Sequence, residues 1–184
     1  MTYDGTRTIQ DPDLVDTFDL DDGRTAYLLY DQGCESPRGN AGNVTTIVQM
    51  SDRYLQVDPS GDMADAINHW AQRGDPDMDD LIERFGRIFC DVAAFTRWSG
   101  QAAQSDESWG YAWITRADVD RDLSPDADLD AALDAELGEY LDWAAGECYG
   151  VIVTDADGEE IDSCWGFIGT DYAEKVARSG LDAY

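Results

Sequence analysis

The chain predicts an α+β fold with a mainly antiparallel sheet, and three stretches carry that expectation. Two β-rich segments meet at Asp21-Asp22-Gly23, two more meet at Asp155-Ala156-Asp157-Gly158, and Ser124-Pro125-Asp126 opens a long amphipathic segment. Asp-Gly between β-rich runs is a strong hairpin signal, because glycine takes the positive φ of a tight turn without a Cβ penalty. A hydroxyl cap followed by proline opens helices, because proline's missing N–H is not needed in the first turn. Together these give an α+β domain.

In chain order, residues 14–20 (LVDTFDL) alternate apolar and polar and lead through the first Asp-Gly turn into 25–30 (TAYLLY), so that 14–30 forms a hairpin. A turn-rich loop, 31–42, precedes a third strand at 44–50. Residues 62–73 place Met63, Ala66, Ile67 and Trp70 at helical spacing before Gly74, and Asp75-Pro76 opens a short helix to about residue 85. Residues 87–98 (RIFCDVAAFTRW) fit helix and strand alike, and strand is the assignment taken. The polar residues 99–108 read as a loop, and 109–115 (WGYAWIT) as a strand.

The longest helix, 125–145, carries an apolar stripe of Leu129, Leu133, Leu137, Tyr140 and Ala144. Asp128, Glu139 and Asp142 fall on its opposite face, with Asp134 and Glu136 on the flanks. A second hairpin, 148–168, follows, in which Trp165 and Phe167 are expected to give their large apolar area to the core. A short helix at 172–178 closes the chain. Helices near 62–85 and 125–145 would pack the sheet. At 184 residues and 43% hydrophobic, without an internal repeat, the chain reads as one domain, 1–184.

Several chemistries have weak support. Cys34, Cys90, Cys148 and Cys164 stand far apart without a Cys-x-x-Cys pair, and His69 is the single histidine, which argues against structural zinc. Reduced thiols are the favoured reading, with a Cys148–Cys164 bridge across the hairpin as the other. Asp155-x-Asp157-Gly158 resembles part of a calcium loop, but the glycine falls two positions too early, so a turn is the better reading. A reactive thiol in Asp162-Ser163-Cys164-Trp165 would need a histidine or cationic partner that the chain scarcely supplies. No catalytic residue, metal or cofactor is expected. No apolar run reaches the roughly 20 residues of a membrane span, and the first residues lack the layout of a signal peptide, so a soluble cytoplasmic protein is expected.

Charge dominates the composition. Forty acidic residues face 12 basic ones, for a formal net charge of −28; 31 of the acids are Asp, and Lys175 is the only lysine. A GC-rich genome favours Arg and Asp over Lys, and a halophile's surface is rich in Asp, but the size of the imbalance also suits a nucleic-acid mimic. Duplex DNA carries about one charge per 1.7 Å, so 28 charges correspond to roughly 48 Å of helix. A compact domain of this length is roughly 40 Å across. Its linear charge density therefore rivals that of DNA. Direct binding to nucleic acid or an anionic membrane is disfavoured, and a basic partner is the natural inference.

The segments ESPR (residues 35–38), WGYAWIT with Arg116-Ala117-Asp118-Val119, and YGVIVTDADGEEIDSCWGFIGTDYA resemble a family of small acidic proteins carried by phages, plasmids and integrative elements of Gram-positive bacteria. Its signature is a YG-strand followed by DGEE-(I/V)-DSCWGF-x-G. The resemblance implies a mobile-element context and supplies no site residues. Length and charge are also similar to those of antirestriction proteins of the ArdA type, without their motifs.

The expected function is therefore anti-defence, anti-CRISPR or antirestriction, by partial DNA mimicry of a basic nucleic-acid-handling host complex such as a CRISPR effector or a restriction enzyme. The candidate partner-binding carboxylates are Asp126, Asp128, Asp130, Asp134, Glu136, Glu139 and Asp142 on the long helix, and Asp75, Asp77, Asp79 and Asp80 before it. The alternative is a non-mimic phage or plasmid interaction module whose acidity reflects its host, and a small enzyme is the third reading.

Overall fold

A computed structural model describes residues 12–39, 42–50, 55–56, 91–102 and 105–181. In chain order these form β1 (Leu14–Asp19), β2 (Thr25–Tyr30), a 3-10 turn at Pro37–Gly39, β3 (Thr46–Met50), β4 (Leu55–Gln56), β5 (Val92–Ala102) and β6 (Ser105–Thr115). Helices α1 (Arg116–Asp122) and α2 (Leu129–Ala145) follow, then β7 (Cys148–Thr154), β8 (Glu160–Ile168) and α3 (Thr170–Ser179). The fold is α+β with antiparallel pairing throughout, and the strands form two four-stranded sheets, β1-β2-β7-β8 and β4-β3-β6-β5. The chain divides into two compact units, Met1–Ser36 with Asp142–Tyr184, and Pro37–Leu141. The helices expected within 62–85 lie outside the described residues.

In the first unit both expected hairpins form. β7 is buried along its whole length, which is why CYGVIVT reads as nearly continuous apolar sequence. On one face of the sheet Phe18, Ala26, Leu28, Val151, Val153 and Phe167 pack with Ala173 and Ala177 of α3. Two alanines on the inner side of a helix let its backbone approach the strands closely, and Gly180 ends α3 in the left-handed conformation.

The aromatic pair on β8 separates. Trp165 and Phe167 share a parity that would place both in the core, yet Phe167 is buried and Trp165 is 47% exposed. The cause is a bulge: Tyr149 pairs with Phe167, while its neighbour Gly150 pairs with Trp165. Adjacent residues of β7 face opposite sides, so their partners do as well. Gly166, at φ +87°, takes the conformation that inserts the extra residue.

In the second unit β5 and β6 pair as a long hairpin, and Tyr111, Ala112, Trp113 and Ile114 are buried along the inner part of β6. Within 87–98 the described residues from Val92 onward are strand, as assigned from the sequence. The expected loop at 99–108 is overturned, because both strands run on through it, with Gly100 opposite Ser108 and Ala102 opposite Ser105. An antiparallel ladder satisfies backbone groups whether or not the side chains are apolar, so polar residues extended the hairpin without leaving a periodic trace.

Thr115 caps α1: its hydroxyl accepts from the Asp118 N–H at 3.2 Å, and the Asp118 carboxylate accepts from the Thr115 N–H at 3.1 Å. The start of α2 is displaced from the expected cap. Ser124-Pro125 forms a turn closed by the Ala127 N–H to the Ser124 carbonyl, 3.0 Å, and Asp128 caps the helix by accepting from the Ala131 N–H at 3.2 Å. Leu133, Leu137 and Tyr140 of the expected stripe are buried, with Tyr140 edge-on to Trp98 at 6.2 Å.

Candidate functional site

The carboxylates expected on α2 part company. Asp126, Asp128, Asp130, Asp134 and Glu139 are exposed, and none of them forms an ion pair among the described residues. Asp130 and Asp134, four apart, stand about 5–6 Å from each other at Cβ. Asp142 is half-buried in the first unit. Asp75, Asp77, Asp79 and Asp80 lie outside the described residues.

Glu136 is removed from the acidic face altogether. Its carboxylate accepts from the backbone N–H groups of Val44 and Thr45, each at 2.9 Å, and meets the Arg38 guanidinium at 3.0 Å. The Arg38 side chain is 5% exposed and also donates to the Thr45 carbonyl. This carboxylate therefore fastens the chain before β3 to α2. A charge inside the fold with three donors is structural, not free for a partner.

The structure gathers a second acidic surface that residue spacing does not reveal. Thr25 pairs with Thr154, so the β1–β2 and β7–β8 turns lie side by side at one end of the first sheet. Asp21, Asp22, Asp157, Glu159 and Glu160 are exposed there. Two turn carboxylates are partly committed to local geometry. Asp155 accepts from the Asp157 and Glu159 N–H groups, both at 2.9 Å. Asp22 accepts from the Arg24 N–H at 3.1 Å and its Nε at 2.7 Å, and these bonds hold its carboxyl below the usual range. The signal was available: two acidic Asp-Gly turns become neighbours once the two hairpins share a sheet with β2 against β7.

Beside the first turn is a cleft of about 530 Å³ lined by Thr17, Phe18, Asp19, Arg24 and Arg178, among others. Arg178 lies over the Phe18 ring at 4.3 Å and reaches Glu174 at 3.4 Å, while Arg24 bonds Asp22 and the Gly180 carbonyl. Both cations are thus held by neighbours.

Cys34, Cys148 and Cys164 are free thiols. Register places Cys148 opposite Ile168 and Cys164 opposite Val151, too far along the ladder for a bridge across the hairpin. Cys90 and His69 lie outside the described residues. Burial, with Cys34, Asp31 and Asp142 nearby, pushes the Cys148 thiol up to about 12. A raised thiol pKa stabilises the fold fully below the unfolded value of about 8.5, and that contribution is lost as pH rises from there toward 12. Iodoacetamide at about pH 8 is therefore expected to leave Cys148 unmodified in the folded protein and to label it once denatured. Mass spectrometry of the Cys148 peptide checks this, and labelling at equal rates in both states would contradict it.

Among the described residues no group of three or more His, Cys, Asp or Glu is placed to hold a metal, and no helix is long and apolar enough to cross a membrane. No family model, no curated protein and no solved structure matches the chain.

Proposed function

We propose that this protein is a mobile-element anti-defence inhibitor, of the anti-CRISPR or antirestriction type, that blocks a basic nucleic-acid-handling complex in the host cytoplasm by partial DNA mimicry. The observation that carries this reading is uncompensated negative charge gathered at and along one helix. Exposed Asp126, Asp128, Asp130, Asp134 and Glu139 stand at or on α2 without counter-ions among the described residues, in a chain of net charge −28. Such a surface repels nucleic acid and attracts the Arg and Lys side chains of a groove that binds it.

The second reading, a non-mimic phage or plasmid interaction module, is favoured by the distribution of those acids. They spread around the exposed arc of α2 and recur at the end of the first sheet, and Glu136 leaves the row.

Purified CRISPR effector and restriction complexes, presented to the immobilised protein, separate the two. Mimicry predicts capture that duplex DNA competes away and that weakens steeply between about 50 and 200 mM salt. It also predicts that neutralising Asp130 and Asp134 to Asn reduces capture. Capture indifferent to DNA would remove mimicry and leave the interaction module.

A further inference from the structure

β8 is the last strand of its sheet, and among the described residues nothing pairs with its outer edge. Ile161 and Trp165 are 50% and 47% exposed; Trp165 falls on the side of β8 that carries Ser163, away from Phe167, and Ile161 is the extra residue at a second register shift. Trp165 is seated over Gly150, a position where an added Cβ would meet the indole ring at 2.1 Å. Its outer surface is therefore presented on a fixed platform.

Natural edge strands are guarded by charges, proline or bulges, and β8 has no lysine or proline; its charges are Glu160 and Asp162 alone, and its register shifts lie toward its two ends, at Ile161 and Gly166. Hairpin 148–168 instead carries Asp155, Asp157, Glu159, Glu160 and Asp162 and no Lys or Arg. None of these five takes part in an ion pair with a described residue. Two such edges would repel one another, which disfavours a second copy of this chain as the occupant. An extended cationic segment meets all three features. Its backbone continues the ladder, its Arg or Lys side chains meet Glu160 and Asp162, and an apolar or Arg side chain covers Trp165.

We infer that the outer edge of β8 is a docking site for a basic, extended peptide segment of another protein, which adds to the first sheet as a fifth strand. The inference deepens the proposed function in that it rests on a basic partner, and it adds the β8 edge as a second contact in addition to the carboxylates of α2.

The test uses the full chain and a labelled peptide of about ten residues alternating Arg with Val, strand-length and cationic. The control is the same peptide with alternate backbone amides N-methylated. Fluorescence anisotropy is expected to give saturable binding that weakens at least about tenfold on N-methylation and again in Trp165→Ala, an exposed aromatic anchor. Asp130→Asn with Asp134→Asn should leave it within about twofold, because neither carboxylate belongs to the β7–β8 hairpin and exposed charge pairs contribute little. Amide shifts confined to 160–168 would place the peptide, and circular dichroism of Trp165→Ala confirms its fold. Binding unaffected by both N-methylation and Trp165→Ala would overturn the inference as plain charge attraction. Mimicry fails separately: DNA-indifferent capture of the host complexes defeats it with β8 docking intact, and DNA-competed capture insensitive to Trp165→Ala defeats β8 docking with mimicry intact.

Discussion

Glu136→Ala is expected to lower the stability of the second unit by about 3–5 kcal/mol, the range for breaking a buried ion pair by removing one partner. The carboxylate faces Arg38 at 3.0 Å and holds the Val44 and Thr45 N–H groups at 2.9 Å. Alanine leaves a guanidinium inside the fold without its counter-charge and deprives two backbone donors of their acceptor. Since domains have only about 5–15 kcal/mol in total, a large share of the unit's stability is at stake. Glu136→Gln keeps an acceptor oxygen but not the charge, and should fall between wild type and alanine. Asp134→Ala, exposed two residues away, should stay within about 0.5 kcal/mol. Urea midpoints of the three variants check the order; equal midpoints for Glu136→Ala and Asp134→Ala would return Glu136 to the solvent-facing acids.

That contrast shows what the chain discloses. A helical wheel places Glu136 beside Asp134 and cannot separate them, because the difference is made by Arg38, Val44 and Thr45, more than 90 positions away. The two hairpins were legible because Asp-Gly turns and their flanking apolar runs are local properties. So was the buried stripe of α2, although two local signals competed for its start and the Asp128 cap prevailed over Ser124-Pro125. Trp165 was misplaced because alternation assumes an unbroken ladder, and Gly166 was its only written trace. The acidic end of the first sheet was hidden for another reason: Asp21 and Glu159 are distant in sequence and become neighbours only through the pairing of β2 with β7. Candidate surfaces therefore emerged at the level of register, one step beyond what periodicity encodes.

Gly110→Ala and Gly150→Ala are expected to differ sharply although both replace a strand glycine with one methyl group. At Gly110 the new Cβ would lie 1.9 Å from the Val48 carbonyl oxygen and 2.7 Å from the buried Trp98 ring. Gly110 faces Gln49 on one side and Trp98 on the other, so β6 cannot shift away from one neighbour without crowding the other. Overpacking of this kind costs about 3 kcal/mol or more when backbone must move. At Gly150 the obstacle is the Trp165 ring at 2.1 Å, a side chain at an exposed edge with room to turn outward. There the expected cost is about 1–2 kcal/mol, partly offset by alanine's lower backbone entropy in the unfolded chain. Thermal unfolding should thus rank Gly110→Ala well below Gly150→Ala, and the reverse order would contradict the close approach of β3 and β6. The milder variant has its own consequence for binding. With its platform filled, Trp165 leaves the sheet, so Gly150→Ala should remain folded yet bind the alternating Arg-Val peptide at least about tenfold more weakly, as loss of an aromatic anchor does. Undiminished peptide binding by folded Gly150→Ala would mean that the seat beneath Trp165 plays no part in docking.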